Sequence, residues 1–177
     1  NVDNNVFLNN KNKDATVTFE GGAYEGLTDC GVPIIQNGGV VNLKNAKFNA
    51  TGSFDYGVIV RNRWFDSDGT INIQNGTILD CGGNTGIGNG CIERGTVNMY
   101  GGTITSPSSK KGGVGINAAE IKVVGGKIQN FDWGIYLEGR TNVSATIGNV
   151  TFENNNCDIV MSSGKKFTIQ DDFQGTA

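Results

Sequence analysis

A short strand-like phrase recurs along this chain at a nearly constant distance, and this repeat constrains the fold more than any other feature. Residues 69–78 read GTINIQNGTI, and residues 95–104 read GTVNMYGGTI. Five further segments share the same order of apolar residues. The second apolar anchors of the seven copies lie 24, 30, 26, 24, 24 and 22 positions apart: Phe19, Leu43, Ile73, Met99, Val123, Ile147 and Ile169. A period of this length is typical of solenoids, in which each repeat packs only against its neighbours.

Each copy carries the parts of one coil. Apolar and polar residues alternate with period two, which predicts a strand with one face inside. Gly or Asn pairs such as Gly101-Gly102 follow, and these residues tolerate the positive φ of a corner. A further apolar position comes after each corner, in the series Tyr24, Phe48, Ile78, Ile104, Ile128, Phe152 and Phe173. A third short strand is predicted before most copies, at 32–34, 58–60, 114–116, 135–137 and 159–161.

These features predict an all-β fold: a single-stranded, right-handed parallel β-helix, or solenoid, of about seven coils with three short strands each. Residues 16–177 form this single domain, and residues 1–15, rich in Asn and Lys, are expected to form an N-terminal cap. No cover is evident after Phe173, so we expect the chain to be a segment of a longer surface protein. The anchors should stack in one internal column. On the outer face, Asn42, Asn72 and Asn98 should form a ladder of amide hydrogen bonds.

Composition and charge narrow the classes of function. The chain has no His among its 177 residues, which removes the commonest general base and every Ser-His or Cys-His pair. Its formal net charge is −3, and it lacks the basic footprint of a nucleic-acid binder. No run of eighteen apolar residues is present, so we expect no membrane span. With no His and no clear carboxylate cluster, the sequence favours a protein that is not an enzyme.

Two motifs resemble known families. Gly134-Ile135-Tyr136-Leu137, followed by a strand and a Gly-Gly-Thr-Ile corner, resembles the right-handed parallel β-helix repeat of pectate-lyase-like proteins. Gly101-Gly102-Thr103-Ile104 and the ending 159–169 resemble repetitive cell-surface proteins of Gram-positive gut bacteria. The resemblance implies an extracellular or cell-surface location and a module that binds carbohydrate, adheres or serves as a stalk. It equally implies two alternatives, a polysaccharide lyase or hydrolase and a phage-spike-like segment, because this fold hosts all of them.

The longest coil contains the best candidates for contact with an acidic glycan. Arg61, Arg63 and Trp64 follow a predicted strand, and Arg94 follows the equivalent region one coil later. Stacked coils would present them as a cationic groove with an aromatic platform. The alternative is a surface ion-pair network, since Glu93 and two Asp residues stand nearby. The sequence leaves both interpretations open.

A second aromatic candidate and a cation candidate lie at coil corners. Trp133 and Tyr136 flank Gly134, where they would form either a shelf for sugar stacking or a cover for the core. Asp66-Ser67-Asp68-Gly69 resembles a fragment of a calcium loop, so Asp66 and Asp68 are candidate Ca²⁺ ligands, although the remaining oxygen ligands are missing. The alternative for these acids is ordinary turn chemistry.

The four Cys residues do not predict a disulfide framework. Cys30, Cys81 and Cys157 fall at similar corners of different coils, and coils one and three lie about 9.6 Å apart at the usual strand spacing. A disulfide requires Cα atoms within about 7 Å. Only a Cys81–Cys91 bridge across the Gly-rich insertion is compatible with the spacing, and the sequence does not decide whether it forms.

Overall fold

The structure is a computed structural model, and it describes residues 7–27, 33–51, 59–64, 66–82, 90–107, 112–137, 143–170 and 173. Within this part of the chain the regular structure is entirely β. The strands, in chain order, are β1 (Leu8–Asn10), β2 (Thr16–Glu20), β3 (Ala23–Leu27), β4 (Ile35–Asn37), β5 (Val40–Lys44), β6 (Lys47–Thr51), β7 (Val60–Arg61), β8 (Arg63–Trp64), β9 (Ser67–Asp68), β10 (Thr70–Ile73), β11 (Ile78–Asp80), β12 (Gly90–Glu93), β13 (Thr96–Met99), β14 (Thr103–Thr105), β15 (Gly112–Asn117), β16 (Glu120–Val123), β17 (Lys127–Gln129), β18 (Phe131–Leu137), β19 (Ser144–Ile147), β20 (Thr151–Glu153), β21 (Cys157–Met161) and β22 (Phe167–Ile169).

Three parallel sheets run along the molecule. Sheet A is β1-β4-β7-β12-β15-β18-β21, sheet B is β2-β5-β10-β13-β16-β19-β22, and sheet C is β3-β6-β11-β14-β17-β20. The short strands β8 and β9 form a separate antiparallel pair. The predicted all-β parallel solenoid is therefore confirmed. The predicted coil number is slightly too high, because in the described part of the chain the last coil contributes only β21 and β22. The right-handed winding stays a prediction.

The predicted internal column is confirmed strand by strand. The registers of sheet B place Phe19 on Leu43, Leu43 on Ile73, and so on through Met99, Val123 and Ile147 to Ile169. The middle members are fully buried, and they share the core with equivalent columns from sheets A and C. Each coil thus buries its apolar face against the two coils beside it, which is the source of stability in a solenoid.

The apolar column of sheet C corrects one predicted position. Leu79, and not Ile78, stacks between Phe48 and Ile104. The corner after Ile73 holds one residue more than the corner after Met99, so the two copies of Gly-Thr-Ile are out of register. The extra residue lies within 74–76, because the N–H of Ile78 donates to Ala46 O and the N–H of Thr103 donates to Thr77 O, which aligns Thr77 with its neighbours. Thr77 is buried, and its hydroxyl has no hydrogen-bond partner in the described part of the chain. The same Gly-Thr-Ile motif therefore occupies different structural positions in the two coils, because the corners before it differ in length.

Two ladders of Asn side chains connect neighbouring coils, one on the outer face of sheet B and one buried at a corner. The predicted outer ladder is present: Asn98 Nδ2 donates to Asn72 Oδ1 over 2.9 Å, and Asn72 Nδ2 donates to Asn42 Oδ1 over 2.8 Å. A second ladder, which the sequence analysis missed, is buried at the corner between sheets A and B. There Asn10 Nδ2 donates to Asn37 Oδ1, and Asn37 Nδ2 donates to Asn62 Oδ1. Both ladders fix coil register through bonds that repeat along the axis.

Four of the five strands predicted before a copy overlap an observed strand, and the predicted strand 32–34 is wrong, because β4 begins just after it. The predicted strands 114–116, 135–137 and 159–161 lie inside β15, β18 and β21. The strands at 32–34 and 58–60 begin later, at Ile35 and Val60, and residues 32 and 58 lie outside the described residues. Leu8–Asn10, in the segment predicted as a cap, pairs with β4. The cap itself stays a prediction. No helix in the described residues is long and apolar enough to cross a membrane.

Candidate functional site

The outer face of sheet A brings two predicted site residues, Arg61 and Tyr136, into one row. The register places Gln36 beside Arg61, Arg61 beside Glu93, and Glu93 beside Asn117. Since Ile116 pairs with Ile135, Tyr136 follows next in this row. Arg61 and Tyr136 are three strands apart, about 14 Å at the usual strand spacing. The row is the candidate site, and its two ends differ in chemistry.

The Arg61 end of the row is occupied by an ion pair. Arg61 Nε lies 3.3 Å from Glu93 Oε2, and the Glu93 side chain is only 9% exposed. Glu93 Oε1 also accepts a hydrogen bond from the backbone N–H of Gly90 over 3.2 Å. A nearly buried carboxylate needs such partners, because desolvation of an unpaired charge is costly. The guanidinium of Arg61 is therefore committed to Glu93, and the predicted cationic groove loses most of its charge here.

The predicted cation site forms part of a small hairpin. Arg63 pairs with Asp68 across β8 and β9, and Arg63 Nε lies 3.8 Å from Asp68 Oδ1 with both side chains exposed. An exposed pair of this kind contributes little to stability. Asp66 is exposed in the turn between the two strands. Among the described residues, no three His, Cys, Asp or Glu side chains converge on a point. The Ca²⁺ site at Asp66 and Asp68 stays a prediction.

Arg94 and Trp64 also lie outside the row. Arg94 follows Glu93 at the corner between β12 and β13, where its φ is 68° and its N–H donates to Asn117 O over 2.9 Å. The backbone of Trp64 lies in β8, but its side chain is outside the described part of the structure. The three arginines thus occupy a strand, a hairpin and a corner, and they do not share one column.

The Tyr136 end of the row is an aromatic pair. The ring centroids of Trp133 and Tyr136 are 4.9 Å apart and the rings are inclined by 50°. Both residues are half-buried, whereas Phe131 and Ile135 of the same strand are fully buried and supply the core. Whether the two rings serve as a shelf for sugars or as a cover for the core stays a prediction. They form a partly open apolar shelf beside the strand.

Polar groups surround a small cleft against this shelf. The cleft has a volume of about 150 Å³ and is lined by Gly113, Asp132, Trp133 and Asn156. Asn156 Nδ2 donates to Asp132 Oδ1 over 2.6 Å. Gly134 allows this arrangement, since a Cβ there would lie 2.7 Å from the carbonyl oxygen of Asp158 on the next coil. An aromatic face with a carboxylate and an amide at its edge can stack on a sugar ring and hydrogen-bond its hydroxyls.

The described cysteines are all free thiols. Cys81 and Cys91 are buried and not joined, and Cys157 is exposed. Burial raises the pKa of Cys91 well above its ordinary value of 9.0, and a hydrogen bond with Cys81 raises it further. Cys81 Sγ also donates to Thr105 O over 3.3 Å. The two thiols are neighbours in the core, and the raised pKa keeps the Cys91 thiol in its neutral form. Cys30 lies outside the described residues.

The comparisons with known proteins return no relative. No protein-family model, no curated protein and no solved structure matches the chain.

Proposed function

We propose that this chain is a non-catalytic, extracellular or cell-surface solenoid module that binds a polysaccharide through the shelf formed by Trp133 and Tyr136. The observation that carries the proposal is the half-buried aromatic pair, 4.9 Å between centroids, on a strand whose other large apolar side chains, Phe131, Ile135 and Leu137, are fully buried. Two rings held on one strand lose little conformational freedom when a ligand binds. Hydroxyl groups of the sugar would reach the carboxylate of Asp132 and the amide of Asn156.

The ion pair at Arg61 shifts the expected ligand chemistry. Because Arg61 already binds Glu93 and Arg63 lies beside Asp68, an acidic sugar would have to compete with protein carboxylates. The shelf itself carries Asp132, which favours the hydroxyls of a neutral sugar over a uronic acid. We therefore expect neutral glycans to bind better than uronate-rich ones.

A glycan array followed by calorimetry on the best ligand tests the proposal. Trp133→Ala should weaken binding at least about tenfold, equivalent to about 1.4 kcal/mol, because a central aromatic anchor is usually an energetic hot spot. Tyr136→Ala should weaken it similarly. Tyr100→Ala is the matched control, since Tyr100 is also an exposed aromatic, at 48%, but lies in the corner that follows β13 of sheet B.

The same ligand also separates a binding module from an enzyme. Incubation with the parent chain, with and without Ca²⁺, should release neither unsaturated nor reducing-end products. Product release that disappears in Trp133→Ala would replace the proposal with a polysaccharide lyase or hydrolase. Equal binding by the parent and by Trp133→Ala would show that the glycan does not bind at the shelf.

A further inference from the structure

The chain contains three Asn-Gly pairs, Asn37-Gly38, Asn75-Gly76 and Asn89-Gly90, and Asn89 lies outside the described residues. The first two pairs stand in the same local sequence, since residues 35–38 and 73–76 both read Ile-Gln-Asn-Gly. In an Asn-Gly pair the main-chain nitrogen of Gly can attack the side-chain carbonyl carbon of Asn, because Gly has no side chain to block the approach. The reaction needs an unbound amide, an unbound N–H and a backbone that rearranges locally.

The buried pair is closed to this reaction. Asn37 is fully buried in the ladder between sheets A and B. Its Nδ2 donates to Asn62 Oδ1 over 3.1 Å, and its Oδ1 accepts from the N–H of Gly39 over 3.0 Å. The nitrogen that would attack, that of Gly38, donates its proton to Asn10 O over 2.8 Å. Both partners of the reaction are therefore held in place by hydrogen bonds.

The pair at the corner between β10 and β11 is open. Asn75 and Gly76 are exposed, and within the described residues the side-chain amide of Asn75 and the N–H of Gly76 make no hydrogen bond. The N–H of Thr77 donates to Gln74 O over 3.3 Å. Asn75 O accepts from the N–H of Asn45, also over 3.3 Å. Both bonds are longer than the usual range of about 2.7–3.2 Å, so the corner opens locally at small cost.

We propose that Asn75 is a site of spontaneous deamidation in the folded protein. Gly76 N–H loses its proton, and the nitrogen bonds to Cγ of Asn75 to close a five-membered succinimide ring. The bond between Cγ and Nδ2 breaks, and this nitrogen leaves as ammonia. One water molecule then opens the ring. Attack of water at Cγ gives Asp, and attack at the main-chain carbonyl carbon gives isoaspartate, in which the main chain runs through Cγ.

The product changes both a cleft and the corner beside it. Asn75 lines a cleft of about 410 Å³ whose other lining residues include Lys44, Gln74 and Tyr100, and either product adds a negative charge there. Isoaspartate also lengthens the main chain by one atom. The corner lies against Gly101 of the next coil, where a Cβ would overlap Asn75 Oδ1. Because corner length sets strand register in this fold, the isoaspartyl form should be less stable than the aspartyl form.

Peptide mapping by mass spectrometry, after incubation of the folded chain at slightly alkaline pH in water enriched in oxygen-18, tests the proposal. The Asn75 peptide should convert at least about tenfold faster than the Asn37 peptide, because Asn37 must first lose several hydrogen bonds. Each product should carry one oxygen-18 atom, and isoaspartate should accompany Asp. In denaturant the ladder is absent, so the two peptides should react at rates within about threefold of each other.

Two variants serve as controls. Asn75→Gln should abolish the fast conversion and unfold like the parent, because its longer side chain would have to close a less favourable six-membered ring. Asn75→Asp contains only the aspartyl product, so the deamidated parent, which also contains isoaspartate, should unfold at a lower temperature than this variant. Equal unfolding temperatures would contradict the effect on the corner.

Three results would overturn the deamidation site itself. The first is an Asn75 that stays an amide in the folded chain while the denatured chain converts. The second is conversion of Asn37 as fast as Asn75 in the folded chain. The third is conversion of Asn75 to Asp without isoaspartate, since direct hydrolysis of the side-chain amide gives that product alone.

Discussion

The two methionines of this chain allow a matched test of the internal column. Met99 is fully buried between Ile73 and Val123, and Met161 is 44% exposed on the last strand of sheet A. Met99→Ala removes three side-chain atoms and leaves a cavity that the stacked coils cannot easily close, which costs about 2–5 kcal/mol. For a domain of this size, a loss of about 3 kcal/mol lowers Tm by roughly 6–12 °C. Met99→Asp is worse, because its carboxylate would be buried without a partner.

Thermal unfolding of dilute protein, followed by circular dichroism, measures both effects. Met99→Asp should show no cooperative transition, since its cost approaches the 5–15 kcal/mol or so that stabilise a typical domain. Met161→Asp, the same chemical change at an exposed site, should alter the free energy of unfolding by no more than about 0.5 kcal/mol. A Met99→Asp variant that melts like the parent would refute the column, and so would a Met161→Asp variant that is equally damaging.

Three further outcomes follow from polar and ionisable groups. Asn72→Ala should cost about 1–3 kcal/mol in chemical denaturation, because it breaks both ladder bonds that Asn72 makes; an unchanged midpoint would contradict a role in stability. Arg61→Ala should cost about 3–5 kcal/mol by leaving Glu93 buried and unpaired, and the Arg61→Ala, Glu93→Gln double variant should recover part of this loss. The unreduced, denatured chain should contain at least three reactive thiols. Because the pKa of Cys91 is raised in the folded state, the free energy of unfolding should fall as pH increases above about 9. Cys91→Ala should reduce that fall. A denatured chain without reactive thiols would contradict the assignment of Cys81, Cys91 and Cys157 as free thiols.

The fold was predictable from the sequence because its main determinant is local and repeated. The alternation around Asn72 and Asn98 indicates strands, and the spacing of Ile73 and Met99 indicates that one strand lies above the other. The position of Leu79 could not be predicted, because one added residue within 74–76 leaves the Gly-Thr-Ile motif intact while shifting the register of the strand that follows. The number of residues in a corner depends on how the backbone turns there, and the Gly-Thr-Ile motif does not indicate that number.

The candidate site was only partly predictable. Sequence adjacency indicated that Trp133 and Tyr136 flank one Gly, and the structure brings their rings together. Arg61 and Glu93 lie on paired strands of two neighbouring coils. They are far apart in the sequence, so the sequence did not show whether they form an ion pair or leave Arg61 in an open cationic groove. The buried ladder of Asn10, Asn37 and Asn62 was missed for a related reason. Its signal, an Asn at or just after the end of the first three sheet A strands, becomes visible only when the coils are aligned.

Tryptophan fluorescence tests the proposed glycan site most directly, because the chain has only two Trp residues, one at each predicted binding locus. In Trp64→Phe, Trp133 is the only reporter, and in Trp133→Phe, Trp64 is the only reporter. Titration with the best glycan from the array should change the emission of Trp64→Phe in a saturable way, with the affinity found by calorimetry, and should leave Trp133→Phe unchanged. A saturable change in Trp133→Phe alone would place the glycan at the hairpin of Arg63 and Trp64 and contradict the account.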